Sequence, residues 1–364
     1  MKHIDEFRDP ATARALVARI LRDAGNESVR LMEVCGTHTV AIARSGIRPL
    51  LDGAVTMVSG PGCPVCVTPD GYIDAAIAVG RIPGVLLASF GDMLRVPGKS
   101  SSLEKEKGKG LDVRVVYSPL DAVALAAAAP DREVVFLGVG FETTAPAIGG
   151  AIRAAEKATV RNFSVLASVR TIPGAMGMLA SDPEVRIEGF LCPAHVSTII
   201  GADAYLPVAS RYRIPCVIAG FEPLDILLGI SMLLRQVKDG SARVENEYSR
   251  GATAAGNRKA QELLRELFVP FDAEWRGIGV IPGSGLRIAA RYARYDAEEK
   301  HGVRPVFSPE KTACRCGDVL KGKILPNGCP LFGKACVPEE PSGPCMVSSE
   351  GTCAAHFKYG TGLQ

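Results

Sequence analysis

The chain has 364 residues, 47% of them hydrophobic and 22% charged, a composition that excludes a largely disordered protein. A formal net charge of +3 excludes a strong electrostatic pull toward nucleic acid or an anionic membrane surface. No apolar run approaches the ~18 residues of a membrane span, and at about 100–200 residues per domain the length predicts two or three domains.

In chain order, Met1–Pro10 is charged and carries no apolar signal core, which predicts a protein that is not exported. Residues 12–24 read as an amphipathic helix ending near Gly25. A repeating unit follows, in which short apolar runs end in Gly, Pro or Cys and lead into helical stretches. The first four runs are Arg30–Val34, Ala54–Val58, Val85–Phe90 and Val113–Tyr117. The next four are Glu133–Val139, Phe163–Val169, Ile187–Leu191 and Cys216–Ala219. They are continuous rather than alternating, which suits strands buried on both faces of a parallel sheet covered by helices. The basic run Lys105–Lys109, broken by Glu106 and Gly108, reads as a solvated loop.

The two sets are offset by about one hundred residues, the pattern of a duplicated α/β unit. The fold class expected is therefore α/β: two similar open parallel-sheet domains plus a smaller, largely helical or irregular cysteine-rich domain. The expected boundaries are 28–120 for the first, 121–222 for the second, and 1–27 with 223–364 for the third. In the third, Pro223–Lys238 and Ala254–Phe268 read as helices, Trp275–Gly285 as a short extended piece, and Leu286–Tyr295 as a further helix. From Ser308 onward Cys, Gly and Pro dominate. A segment of that kind buries little core and needs a metal, a cluster or a docking surface to hold it.

Cysteine is the informative residue. There are 11, and without an export signal they stay reduced, so a disulfide scaffold is disfavoured. Cys314, Cys316, Cys329, Cys336, Cys345 and Cys353 crowd the C-terminal stretch. Thiolates suit zinc and iron–sulfur clusters. Only Cys314 and Cys316 are close, and one intervening residue is too few for a zinc knuckle. The long loops carrying Pro326, Pro330, Pro338, Pro341 and Pro344 favour an iron–sulfur cluster over zinc or unrelated buried thiols. Spacing alone does not choose four of the six. The CxxxCxxC arrangement of radical S-adenosylmethionine enzymes is absent from the sequence.

Cys63 and Cys66 form a C-P-V-C pair after the second predicted strand, with Thr68 as the expected cap and Pro69 as the first residue of a helix. A dithiol near a helix N-terminus has a lowered thiol pKa and can cycle with a disulfide, so the pair reads as redox-active or metal-binding. Cys35, in Cys-Gly-Thr-His-Thr, falls at a strand's carboxyl end, where open α/β sheets bind ligands. Thr37 is the expected cap there, and His38 is placed to hydrogen-bond or deprotonate the thiol. Alone, Cys35 reads as a buried hydrophobe or a functional thiol; beside Cys63 and Cys66 the functional reading gains.

The loop Gly140-Phe141-Glu142-Thr143-Thr144 also follows a strand and opens a helix. Its glycines and helix N-terminus suit an anion, though it is not the G-x-x-x-x-G-K-[ST] nucleotide loop. Glu142 reads either as a proton carrier or as an exposed turn acid. Cys192-Pro-Ala-His195 reads mainly as a packed loop, with metal binding as the alternative.

These motifs, together with Pro341–Gly351, resemble those of the HypD family of nickel–iron hydrogenase maturation factors, over nearly the whole chain. One departure is Val40, where the family pattern often has a second histidine. The resemblance implies a cytosolic [4Fe–4S] protein that works with a small HypC-type chaperone and a HypE-type cyanide donor, itself paired with HypF, and without nucleic acid or membrane. Together they assemble an Fe(CN)2CO group. The family's cluster spacing, laid on this chain, selects Cys314, Cys329, Cys336 and Cys353 and leaves Cys316 and Cys345 over.

The mechanism expected has Cys35 holding a transient mononuclear iron with cyanide and carbonyl ligands, bound also by a cysteine of the chaperone. Cys63 and Cys66 relay electrons between that iron and the cluster. His38 and Glu142 are candidate proton carriers, and Gly140, Thr143 and Thr144 candidate contacts for the cofactor under assembly. Two alternatives belong to other classes. One is an iron–sulfur thiol–disulfide reductase, which needs no mononuclear iron. The other is a passive scaffold, which tolerates loss of Cys63 and Cys66.

Overall fold

A computed structural model describes residues 5–306 and 313–360. The start of the cysteine-rich stretch, residues 308–312, lies outside the described residues, as do residues 1–4 and 361–364. The strands in chain order are β1 (Val29–Glu33), β2 (Val55–Ser59), β3 (Val85–Ser89), β4 (Val113–Val115), β5 (Glu133–Gly140) and β6 (Phe163–Arg170). They continue with β7 (Gly189–Pro193), β8 (Cys216–Ala219), β9 (Val244–Asn246), β10 (Phe268–Trp275) and β11 (Gly279–Ile288).

The fold is α/β, as the continuous apolar runs predict, and all eight runs become strands. β3 is buried along its whole length and β5 along all but its first residue, because helices cover both faces. The first sheet has the order β2-β1-β7-β8-β9 and is parallel throughout. The second has the order β10-β11-β6-β5-β3-β4, parallel except where β11 pairs with β10 and β6.

Sheet membership does not follow the expected ranges 28–120 and 121–222. β1 and β2 share a sheet with β7 and β8, whereas β3 and β4 join β5 and β6. The chain thus leaves the first sheet after β2, builds the second, and returns at β7. Local periodicity reports which segments are strands; it does not report which strand lies beside which.

The region after β8 differs from expectation at several places: the helix expected from Ala254 begins only at Arg258, Phe268–Trp275 is a strand, and a hairpin turn interrupts the extended piece expected over Trp275–Gly285. Leu286–Ile288 belongs to β11 and not to a helix; a 3-10 turn begins only at Ala290. The residues after Phe268 form an antiparallel hairpin whose tip is built on Gly277 (φ +70°) and Gly279 (φ +113°). Pairing of Leu286 with Pro270 and of Ile288 with Phe268 fixes the extended backbone there.

Helix Pro10–Ala24 lies against helix Pro223–Lys238, which is boxed at its start by Glu222 and Asp225. Together they bury Ile20, Ile226, Ile230 and Leu234 beneath the first sheet. The helix Gly36–Arg44 that follows β1 meets the C-terminal helix Thr352–Tyr359. The cysteine-rich tail is thereby seated against the loop that carries Cys35. Among the described residues no helix is long and apolar enough to cross a membrane.

Candidate thiol and metal centre

The first sheet delivers four loops to one edge, the carboxyl ends of its parallel strands. After β1 comes Cys35, after β2 Cys63 and Cys66, after β7 His195, and after β8 Gly220-Phe221. This is where open α/β sheets place ligands. Two fixtures lock the β1 and β2 ends. Glu33 is fully buried, and its Oε1 accepts from Ser59 Oγ at 2.6 Å, Arg48 Nη2 at 2.7 Å and Thr39 Oγ1 at 3.3 Å. Gly62 lies so close that a Cβ there would stand 2.2 Å from the Cys35 nitrogen, while its carbonyl accepts the Gly36 N–H at 3.0 Å. Only glycine fits this approach.

Cys35 itself occupies the cap position of helix Gly36–Arg44. Thr37 is not the cap; its hydroxyl donates to Glu350 Oε1 at 2.7 Å and so ties the tail to the loop. Burial pushes the Cys35 thiol up to about 12, opposed by the His38 N–H and reinforced by the Glu350 carboxylate. The imidazole beside the thiol is that of His195, with Nδ1 3.9 Å from Cys35 Sγ. His38, expected to do this, points elsewhere: its Nε2 bonds the carbonyls of Gly220 at 2.8 Å and Ala219 at 3.1 Å. Burial lowers both imidazoles to about 4, so both are neutral at pH 7. The Phe221 ring lies between them, with centroids 4.8 Å from His38 and 5.2 Å from His195. His38 Nδ1 is buried with no hydrogen-bond partner among the described residues, a bare lone pair.

Cys63 and Cys66 are buried and hydrogen-bonded to each other. The pair is asymmetric. Bonds from the Cys66 thiol, the Cys66 N–H and Ser348 hold Cys63 below the usual thiol range despite burial. Cys66 is helped by a bond from Cys345, but its bond to Cys63 and its burial outweigh that and push it well up. The cause is therefore this local set of donors. The following helix begins only at Asp70, and Thr68 does not cap it: its hydroxyl donates to the Pro64 carbonyl at 2.8 Å.

From Cys66 a row of neighbouring thiols runs into the tail. Cys345 is a neighbour of Cys66 and Cys353, Cys316 of Cys345, and Cys314 of Cys316, each shifting the titration of the next. Burial pushes Cys336 up, and the neighbouring Cys314 and Cys353 sulfurs add to it. The Ser342 N–H donates to Cys336 Sγ at 3.4 Å. A Cβ on Gly343 would stand 2.6 Å from Cys314 Sγ, so bare backbone closes over that sulfur. Cys316 and Cys345, left over by the family spacing, are thus the members that join the Cys63–Cys66 pair to the tail. Among the described residues no three His, Cys, Asp or Glu side chains are placed to hold a single metal ion.

Glu142 sits at the end of β5, in the other sheet. It is buried, not an exposed turn acid. Its Oε1 accepts the Ile172 N–H at 2.8 Å, its Oε2 has no partner among the described residues, and burial raises it to about 7. No hydrogen bond links it to Cys35. Thr144 fills the space beside Gly140, where a Cβ would lie 2.3 Å from the Thr144 Cβ; Thr143 and Thr144 are half-buried. The sequence holds a signal that motif reading passed over. Gly-Phe-Glu recurs at 220–222 after β8, as at 140–142 after β5, and the second copy is the one beside the thiol cleft.

The family model of HypD, described as the hydrogenase formation hypA family, matches residues 11–360. The chain belongs to the HypD family. It is 48% identical to the hydrogenase maturation factor HypD of Azotobacter vinelandii, covering 99% of this chain and 97% of that protein. The HypD of Cupriavidus necator is 46% identical over 99% of this chain and 97% of its own. That of Escherichia coli is 44% identical over 99% and 98%.

Proposed function

We propose that the chain is a hydrogenase maturation factor that holds iron at Cys35 while cyanide and carbon monoxide are attached to it. The observation that carries this reading is the convergence of Cys35, His195 and the Cys63–Cys66 pair at one sheet edge, with a row of thiols leading away from it. The iron is cargo. A thiolate and a neutral imidazole are compatible ligands for low-spin iron carrying cyanide and carbonyl groups, and a cysteine from a small HypC-type chaperone completes the thiolate set. A HypE-type protein supplies cyanide.

Capture of the iron requires the Cys35 proton to leave, because burial keeps the metal-free thiol protonated at pH 7. His195 Nδ1 is the acceptor within reach. The helix start then stabilises the thiolate through the His38 and Thr37 N–H groups.

The tail suits a resident [4Fe–4S] cluster held by Cys314, Cys329, Cys336 and Cys353. The Cys314 and Cys353 sulfurs both act on Cys336, an N–H is aimed at one of the three, and a glycine backbone closes over another. Such a group supplies one-electron transfer when bound. The chain's own thiols do the rest. Cys63 is the more acidic member of its pair and is the one deprotonated first; when the pair passes two electrons, one after the other, to the iron site at Cys35, the S–S bond forms and two protons leave. Cys345 and Cys316 span the distance to the cluster ligands. The thiol row by itself equally suits a disulfide reductase, and iron at Cys35 separates the two readings.

The deciding experiment is infrared spectroscopy of the chain co-purified anaerobically with its small chaperone. The expected result is a set of cyanide and carbonyl stretches that disappears in Cys35→Ala. A brown, iron–sulfur-loaded complex without those stretches, in cells that mature hydrogenase, refutes the reading in favour of the reductase.

A further inference from the structure

The Gly220 peptide is held at both ends. Its carbonyl accepts from His38 Nε2 at 2.8 Å, and its N–H donates to Glu247 Oε2 at 3.1 Å. Glu247 directly follows β9, the outer strand of the first sheet, and its own N–H continues the ladder by donating to the Ile218 carbonyl at 2.9 Å. The carboxylate thus reaches Gly220 from backbone that is itself fastened to β8. Its side chain is 7% exposed and belongs to none of the motifs read from the sequence. The loop fixed in this way places both imidazoles. Phe221 lies between them, with its centroid 5.2 Å from that of His195, and His195 Nδ1 lies 3.9 Å from Cys35 Sγ.

Asp225 is fully buried against the same peptide. A Cβ on Gly220 would stand 2.0 Å from Asp225 Oδ2 and 2.9 Å from Tyr248 Cδ2, so only glycine lets the loop lie this close. Asp225 Oδ2 accepts from Arg250 Nη2 at 2.6 Å and from the Glu222 N–H at 3.3 Å. Arg250 Nη1 also lies 3.8 Å from Glu247 Oε1, and the guanidinium sits over the rings of Phe7 at 4.0 Å and Tyr248 at 4.3 Å. One cation thus serves two carboxylates, which keeps Glu247 in place without requiring both acids to be charged. An imidazole beside a metal-binding thiol keeps its aim only while the groups packed on it are themselves fixed. Release of the Gly220 N–H leaves it without an acceptor, lets Phe221 move and frees the His195 ring to turn away from the thiol.

We propose that Glu247 is a positioning residue for the Cys35 site: by holding the Gly220 N–H it fixes Phe221 and, through Phe221, the orientation of His195 toward the Cys35 sulfur. The proposal deepens the reading of Cys35 as the iron-holding thiol and rests on it. Glu247 touches neither the thiol nor the iron; it acts from the far side of the β8 loop.

The test uses the full chain with three substitutions. Glu247→Leu removes the acceptor at similar size. Glu247→Gln keeps an acceptor for the Gly220 N–H and adds a donor for Asp225. Glu247→Asp keeps the charge but withdraws it by one methylene, and carries the test where the Leu variant does not fold. Ferrous ion binding is measured anaerobically by chelator competition, and the Cys35 share is what Cys35→Ala abolishes in each background. Glu247→Leu weakens that share about 10–100-fold, and Glu247→Asp does so in smaller measure. Glu247→Gln stays within about threefold of the parent. A double-mutant cycle separates positioning from general destabilisation: in a His195→Ala background, Glu247→Leu or Glu247→Asp adds less than about threefold to the loss, because the ring it aims is gone. Losses that multiply in full overturn the proposal, as do Leu and Asp variants that bind like the parent or a Gln variant that fails as they do. A parent chain whose ferrous binding ignores Cys35→Ala overturns the reading of Cys35 itself, and the role of Glu247 with it.

Discussion

Glu142 offers the sharpest test of the electrostatics. Its carboxyl is 2% exposed, one oxygen accepts the Ile172 N–H, the other has no hydrogen bond among the described residues, and burial raises it from 4.5 to about 7. In the unfolded chain the group ionises near 4.5. Between these two values the folded chain holds a proton that the unfolded chain has lost, so stability falls as pH rises through that window. At about 1.4 kcal/mol per pH unit, the loss between pH 4.5 and pH 8 amounts to about 3 kcal/mol. Glu142→Gln keeps the shape and the acceptor for Ile172 and removes the titration. The assay is urea unfolding of parent and variant at pH 5 and pH 8, read as the difference between the two proteins so that other titrating groups cancel. The variant gains on the parent by about 2–3 kcal/mol on going to pH 8. A difference that does not change with pH refutes a protonated, buried Glu142 and removes it as a proton carrier.

At neutral pH an alkylating reagent takes Cys63 before Cys66, and Cys66→Ala, which deletes a donor to the Cys63 sulfur, slows Cys63 labelling about tenfold or more; peptide mass spectrometry reads both, and preferential labelling of Cys66 contradicts the asymmetry. Ferrous ion binding at Cys35 strengthens by up to about tenfold per pH unit from pH 6 to pH 8, because the thiol proton must leave; chelator competition at the two pH values measures it, and pH-independent binding rules out Cys35 as the anchoring thiolate. Gly62→Ala drives a methyl group into the Cys35 backbone and abolishes maturation in a complementation assay while iron–sulfur content is retained; normal maturation shows that the two loops need not touch.

The parallel α/β architecture was legible because burial on both faces writes continuous apolar runs into the sequence, and Glu133–Gly140 and Phe163–Arg170 are such runs. The grouping of strands into sheets was not. β1 and β7 are 155 residues or more apart in sequence but neighbours in space, paired at Leu31–Gly189 and Glu33–Leu191. Nothing local in either segment encodes the other, since each is only an apolar surface that any parallel neighbour satisfies. The hairpin at Phe268–Ile288 was visible only as the extended piece Trp275–Gly285, for a related reason: Leu286-Arg287-Ile288 fits a helix or a strand until its partner is known.

The same limit explains the candidate site. Cys35, Cys63 and Cys66 were legible because thiols at strand ends are chemically conspicuous and the loops are rich in glycine. The partner expected for Cys35 was His38, three residues on, but the Gly220 and Ala219 carbonyls of the neighbouring β8 loop take the His38 imidazole instead. The cleft is filled from β7 by His195. The Gly220-Phe221 loop holds both imidazoles, and it is held in turn from its far side by Glu247, whose Oε2 accepts the Gly220 N–H at 3.1 Å and whose carboxyl burial raises to about 7. Glu247 also interacts with Asp225, which is itself bonded to Arg250 Nη2 at 2.6 Å. The geometry at Cys35 thus depends on a carboxylate pair and an arginine on the opposite side of the β8 loop. In such an arrangement the chemistry is carried by thiols that a motif can find, while their alignment is carried by buried polar contacts between segments that are distant in sequence and become neighbours only when the first sheet closes.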